Sequence, residues 1–288
     1  MTETASLVAR FQAARPQLGA LAYRMLGSVD DAEDAVQEAC LRLTGSDVGD
    51  IENLDAWLTT VVARICLNTL RSRRARDEVA RVPDPIVDAV GEFDPEHQAM
   101  LADAVGLAMF VVLDTLAPAE RLAFVLHDVF AVPFDRIAPV VDRSPEATRK
   151  LASRARRRIR DAAPDPDGDL TAQHGVVDAF FAAGRAGDFD RLVAVLDPDV
   201  VLHGDFGPGR TRSVRGASAV AGLARSYAAP EREARPATVN GAAGAVIFVA
   251  DQPTAVMGFV VRGGRITAID VLADPVRIAR IDLTAVTG

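Results

Sequence analysis

The chain has 288 residues, 49% of them hydrophobic, a formal net charge of −8 and a mean hydropathy of +0.14. That length predicts two or three domains with real cores, and the negative balance excludes a general nucleic-acid coat. Cys40 and Cys66 stand apart without a CxxC, and His97, His127, His174 and His203 show no ligand spacing, so neither a disulfide framework nor a zinc site is indicated and no cofactor is expected. No apolar run reaches the length of a membrane span, and the opening MTETASLVARF has no basic-then-apolar signal pattern, so no membrane association and a cytoplasmic location are expected.

The first helix is predicted over 5–27, with Leu7, Phe11, Leu18, Leu21 and Leu26 among its apolar positions. A second follows in SVDDAEDAVQEACLRL, where Ala32, Ala35, Val36, Ala39, Cys40 and Leu43 recur at helical spacing as one apolar stripe. Asp30, Asp31, Asp34, Gln37, Glu38 and Arg42 fall off that stripe; this face reads either as solvated surface or as a docking face for a basic partner. The third helix, 54–76, buries Leu58, Val61, Val62, Ile65 and Thr69. Trp57, Thr60, Arg64, Asn68 and Arg71 share a narrow arc on its other side at 100° per residue, leading to Arg73, Arg74 and Arg76. An aromatic, hydrogen-bonding groups and arginines on one face suit single-stranded DNA, whose bases stack while arginines hold phosphates; Trp57 taken by itself reads better as a helix-packing residue.

Residues 82–96, VPDPIVDAVGEFDPE, hold three prolines and five acids without a base and read as an extended, self-repelling linker. A helix resumes over 97–115. From Arg121 to Arg160 the pattern is two helices, a break at Asp142-Arg143-Ser144, and a third helix that Ser144 can cap and Pro145 can open. Between Asp142 and Asp161 eight basic residues face three acidic ones, so positive charge is concentrated here in a negative chain. Helix, three-residue turn, basic helix is the layout of a helix-turn-helix; a solvated basic helix in another bundle is the plainer reading. Pro139 lies inside the first helix of that pair, where it removes one hydrogen bond and crowds the Asp135 carbonyl at about 3 kcal/mol in a regular interior, so this helix is expected to be short or kinked.

The order of DDAEDAVQEACLRL, AWLTTVVARICLNTLRSRRAR, an acidic linker, and LAPAERLAFVLHDVFAVPFDRIAPVVDRSPEATRKLASRARRRIR resembles an extracytoplasmic-function sigma factor of bacterial RNA polymerase over roughly 5–162. The resemblance implies polymerase core and promoter DNA as partners. Asp30, Asp31, Asp34, Gln37, Glu38 and Arg42 would grip the clamp helices of the largest polymerase subunit. Trp57, Thr60, Arg64, Asn68, Arg71 and Arg74 would melt and read the −10 element. Ser144, Glu146, Arg149, Lys150, Ser153, Arg154 and Arg157 would meet the −35 element, and the linker would thread toward the RNA exit channel.

APDPDGDL, 163–170, reads as a second linker. Beyond it HGVVDAFFAAGRAGDFDRLVAVL reads as two helices joined at Gly187. DVVLHGD, TRSVRG, ARPATVN, AVIFVAD, TAVMGFVVR and RITAIDVLA read as strands, with a helix over 218–227 and a hairpin turn at Arg262-Gly263-Gly264-Arg265. Helices followed by a curved antiparallel sheet predict an α+β cone with a cavity. This third resembles the SnoaL-like domain of cyclases and ketosteroid isomerases, which one group of extracytoplasmic-function sigma factors carries at its C-terminus. The fold class is therefore two all-α sigma domains, the second with a helix-turn-helix, followed by an α+β cone. The divisions are 5–78, a linker over 79–96, 97–162, a linker over 163–171, and 172–288.

Asp178, His203, Asp205 and Asp270 are the carboxylate and histidine candidates for acid/base work in such a cone. Fold does not carry function, and the expectation is a regulatory domain rather than an enzyme, with a small-molecule ligand as a possible occupant of the cavity. The group's motifs answer here to Arg81-Val82-Pro83-Asp84-Pro85 without its tryptophan, to the loop around Asp205, and to Asp274-Pro275-Val276-Arg277-Ile278. Asp205, Asp274, Pro275 and Arg277 are thus the expected interdomain, regulatory residues. Two alternatives stay open: a SnoaL-like isomerase or cyclase with a helical partner-binding region, and a repressor. A repressor would dimerise across half-sites, but no heptad seam is present and a monomer is expected.

Overall fold

The computed structural model describes residues 2–45, 53–75, 82–91, 113, 115–162, 167–207, 209–227 and 229–287. The helix expected over 97–115 lies outside these residues except at 113 and 115, as do Arg76, Glu92, Asp94, Glu96 and Pro208. The chain forms two compact units.

The first unit is helical. Helices α1 (Thr2–Leu26), α2 (Val29–Thr44) and α3 (Leu54–Ala75) pack through Leu18, Leu21, Met25, Ala35, Val36, Leu43, Leu58, Val62 and Ile65. Gly27 at φ +70 ends α1, a left-handed position that glycine takes without strain, and Ser28 Oγ accepts from Asp31 N to start α2. Cys66 is buried in this core, where desolvation pushes its thiol up to about 12, so it acts as a small apolar group; Cys40 is half-buried.

Helix α4 (Pro118–Phe124) belongs to the same unit as α1–α3. Its Arg121, 2% exposed, donates to the Arg24 carbonyl from Nε at 3.1 Å and Nη2 at 2.9 Å. A π-helical turn, Val125–Val129, follows, and the chain reverses at Ala131 with φ +52. Helix α5 (Phe134–Val141) and helix α6 (Pro145–Ala162) form the helix-turn-helix. Eight residues make α5 short, and Pro139 lies on its exposed side, so the proline costs a backbone bond and no core packing. Asp142 adopts the left-handed conformation at φ +57 to end α5, and Ser144 Oγ accepts from Ala147 N to begin α6.

The second unit contains a seven-stranded sheet with the order β1-β4-β5-β6-β7-β2-β3. Its strands are β1 (Val87–Asp88), β2 (Leu196–Asp205), β3 (Thr211–Arg215), β4 (Arg232–Val239), β5 (Ala242–Val249), β6 (Gln252–Arg262) and β7 (Arg265–Leu272). Every pair is antiparallel except β2 with β7, so the sheet is mixed rather than wholly antiparallel as expected. Gly263 and Gly264 both take positive φ in the β6–β7 turn, which supplies the twist a two-residue hairpin needs.

Alternation along the strands splits the apolar residues between two cores. Helices α7 (Leu170–Ala186), α8 (Phe189–Val195) and α9 (Ala217–Tyr227) bring Val177, Phe180, Leu192 and Val220 against Phe259, Ile266 and Ile269. On the opposite sheet face, Val246, Val256 and Leu272 pack with Val82 and Val87 and with Ile278 and Leu283 from the C-terminal segment, which carries α10 (Pro275–Ile278) and α11 (Thr284–Thr287). The segment that reads as a linker in the sequence is thus part of this unit: Val87 pairs with Val239, and Ile86 exchanges hydrogen bonds with Asn240 at 2.6 and 2.9 Å.

Candidate nucleic-acid interface

On α6, Thr148, Ala152 and Ala155 are buried against the unit, which leaves Glu146, Arg149, Lys150, Ser153 and Arg157 exposed along one face; Ser144 is exposed at its start. The basic residues are not equivalent. Arg154 and Arg158 reach the buried Glu120 at 3.1 and 3.4 Å, and Arg156 reaches Asp128 at 2.8 Å, so these three fasten α6 to the unit. Lys150 pairs with Glu146 at 3.2 Å one helical turn away, a highly exposed contact of little strength. Arg149 lies over the Phe134 ring, its guanidinium carbon 5.3 Å from the centroid, and no carboxylate pairs with it among the described residues.

On α3, Arg64, Asn68, Arg71 and Arg74 are exposed and Trp57 and Thr60 half-buried, so the arc read from the sequence is one accessible face. Thr60 Oγ1 donates to the Ala56 carbonyl, 2.8 Å away. Arg73, which borders this face, donates to the Leu26 carbonyl at 3.0 Å and pairs with Asp31. Asp31 is thereby tied inside the unit, while Asp30, Asp34, Gln37, Glu38 and Arg42 line the exposed side of α2, the last two as an i,i+4 pair. Leu41 lies among them, 65% exposed. It falls outside the apolar stripe, and an apolar residue off the stripe is the one sequence signal that could have marked it.

In the second unit, Arg277 joins three partners: Asp84 from Nε at 2.8 Å, Asp205 Oδ2 from Nη1 at 2.7 Å, and the Val82 carbonyl. The other oxygen of Asp205 accepts from Gly207 N at 3.0 Å, and Asp274 caps α10, whose first residue is Pro275, by accepting from Val276 N at 2.9 Å. Of the four residues expected to be regulatory, Arg277 grips residues 82–84 and pairs with Asp205, while Asp274 and Pro275 start the short helix that carries Arg277. Asn240 was not singled out by sequence reasoning; at φ +50, beside Gly241, it turns the β4–β5 hairpin and pins Ile86.

The acid/base candidates do not converge. His203 Nδ1 and Asp270 Oδ1 are 3.1 Å apart in adjacent, paired strands, and burial raises the Asp270 carboxyl although its contact with His203 opposes this. Asp205 is on the same sheet face but is held by Arg277, and Asp178 is on α7 across the sheet. A buried carboxylate beside a half-exposed imidazole can orient that ring as a proton acceptor. Among the described residues no group of His, Cys, Asp and Glu is placed to hold a metal ion, and no helix is long and apolar enough to cross a membrane.

Two family models match the chain: Sigma-70 region 2 over residues 10–76 and the SnoaL-like domain over 177–281. The chain is 42% identical over 276 residues to the ECF RNA polymerase sigma factor SigJ of Mycobacterium tuberculosis, covering 92% of this chain and 87% of that protein. It is 36% identical over 285 residues to the probable ECF RNA polymerase sigma factor SigI of the same species, covering 96% of each. The crystal structure of Mycobacterium tuberculosis SigJ superimposes with a TM-score of 0.76 at 37% identity, covering 96% of this chain and 99% of that one. A helical sigma unit with its two arginine-bearing faces, followed by a SnoaL-like sheet domain, places this chain in the family of extracytoplasmic-function sigma factors of RNA polymerase.

Proposed function

We propose that the exposed side of α2 holds the polymerase core, that the Trp57–Arg74 face of α3 melts and reads the −10 element, and that the outer face of α6 reads the −35 element. The observation that carries this reading is the separation of α6's arginines into two sets. Arg154, Arg156 and Arg158 are paired with carboxylates of the unit, whereas Arg149 and Arg157 keep their charge at the surface. Charge left unpaired along one helix face serves an anionic partner, and DNA phosphates and guanine edges are such partners. Run-off transcription with purified core polymerase tests the proposal: adding this chain should create defined start sites, and transcription that is unchanged by it would sink the reading.

The second unit modulates this activity in the same proposal. Residues 82–88, which join the two DNA-reading parts in sequence, are built into its sheet and its Arg277 cluster, and this supports a domain that constrains the connection between them. A SnoaL-like domain also offers a small-molecule ligand a means of altering that constraint. Removal of residues 172–288 should change transcript yield while the start sites stay the same.

A further inference from the structure

Arg149 is held in an unusual way for an exposed guanidinium. The chain reversal at Ala131 sets the Val132 carbonyl 3.0 Å from His127 Nδ1, and Val132 N donates to the Leu126 carbonyl at 2.8 Å. His127, fixed by that contact, stacks on Phe134 with ring centroids 3.8 Å apart and planes 29° from parallel. Phe134 is the first residue of α5, and its ring in turn lies under the Arg149 guanidinium. A π-turn residue, the start of the first helix-turn-helix helix and a residue on the outer face of the second are thus joined in one column.

We propose that Phe134, backed by His127, is a positioning residue for Arg149 in promoter recognition. This rests on the reading of α6 as the DNA-contacting helix. A guanidinium over an aromatic face is attracted by the ring quadrupole and loses part of its rotational freedom before DNA arrives. A guanidinium carries five N–H groups and the ring engages it without accepting from all of them, so donors remain for a phosphate or for guanine N7 and O6. Neighbouring Lys150, on the same face, has only a flexible pair with Glu146. The column makes Arg149 the ordered basic contact of the helix and explains why an aromatic sits half-exposed at the start of α5.

The test uses holoenzyme assembled from the full chain and core polymerase, on a promoter duplex selected from a random-sequence library with the wild-type holoenzyme. Affinities are measured for Phe134→Leu, Phe134→Tyr, Arg149→Ala and the double variant Phe134→Leu with Arg149→Ala. Thermal unfolding of each free chain checks that the fold is kept. Phe134→Leu should weaken binding roughly two- to five-fold, the range of a partly exposed cation–π contact. Phe134→Tyr should recover most of that loss, and Phe134→Leu should add nothing once Arg149 is alanine. If Arg149→Ala weakens binding but Phe134→Leu does not, or acts equally in both backgrounds, the positioning role is overturned while α6 remains the reader. If Arg149→Ala itself leaves binding unchanged, the assignment of this face to DNA fails and the proposal fails with it.

Discussion

Arg277 Nε lies 2.8 Å from Asp84 Oδ1, a contact between residues 193 positions apart in the chain. Asp205, on the other side of the guanidinium, is almost wholly buried and Asp84 is half-buried, so Arg277 is the cation between two carboxylates largely withdrawn from water. Removing one partner of a buried pair costs about 3–5 kcal/mol because the remaining charge is stranded. Arg277→Ala is therefore expected to lower the unfolding temperature of the second unit and to speed amide exchange at Ile86, Val87 and Asp88. Arg277→Lys should rescue little, since one ammonium cannot make a fork of contacts to Asp84, Asp205 and the Val82 carbonyl at once. Unaltered exchange at Val87 would show that Asn240 and the apolar contacts hold the strand alone.

Leu41 stands 65% exposed between Glu38 and Arg42 on the helix proposed to bind polymerase. An apolar side chain ringed by charge gains its full burial energy only when a partner covers it, about 1.5–3 kcal/mol for leucine. Leu41→Glu should reduce association with core polymerase at least ten-fold, read by pull-down titration or anisotropy. The free chain should unfold within a degree or two of wild type, since an exposed position carries little stability, about 0.5 kcal/mol or less. Equal core binding by the variant would remove Leu41 from the contact.

The arcs on α2, α3 and α6 were legible in the sequence because a helix repeats its face every 3.6 residues, and polar and apolar positions sort by angle alone. The strands from Asp199 onward were legible for the same reason at a period of two, whereas Leu196, which reads as the end of a helix, begins β2. The role of residues 82–88 was not. Two prolines and two acids argue for an unpaired segment, and β1 is only two residues long. It pairs because Asn240 takes a left-handed turn and Arg277 supplies a counter-charge, and both come from more than 150 positions away. The expected grouping of Asp205 with Arg277 came from a family resemblance; no local pattern in the sequence sets these two residues side by side. The π-helical turn and the His127–Phe134–Arg149 column escaped for a related reason, since neither follows one regular period.

Replacing Arg149 and Lys150 together with alanine should weaken promoter binding and flatten its salt dependence. Each phosphate deprived of its protein cation lowers the slope of log K against log salt by about 0.9. The Lys150–Glu146 pair does not oppose this, because an exposed i,i+4 pair is worth only about 0.3–0.5 kcal/mol and exchanges readily for a phosphate. Binding measured from low to moderate salt with the holoenzyme gives the slope. A slope equal to wild type would mean that neither side chain meets the backbone.

Asp270 is 1% exposed, and burial raises its carboxyl above the usual range against the opposing hydrogen bond with His203. A group whose folded-state value is raised contributes stability that is complete below the unfolded value, about 4, and is lost as pH rises through the folded value. Asp270→Asn removes that loss while its amide oxygen can still accept from the His203 ring. The variant should therefore unfold at higher denaturant than wild type at neutral pH, and the difference should vanish in acid. A variant that is less stable at neutral pH would mean that the charged form is favoured at this site.

His174 acts in the opposite sense. It is 8% exposed on α7, neither ring nitrogen has a hydrogen-bond partner among the described residues, and burial lowers its protonation below the usual range while Asp178 pulls the other way. Below the unfolded value, about 6.5, the unfolded chain takes up a proton that the folded chain resists, so stability falls as pH falls from there toward the depressed folded value. Denaturant unfolding of the second unit between pH 7 and pH 5 should show this loss, and His174→Leu should abolish most of it by removing both the titration and two unsatisfied polar atoms. At pH 7 the same variant should be as stable as wild type or more so. A wild-type stability that stays level from pH 7 to pH 5 would mean that the imidazole protonates in the folded state as easily as in the unfolded one, through a partner that its ring nitrogens acquire in solution.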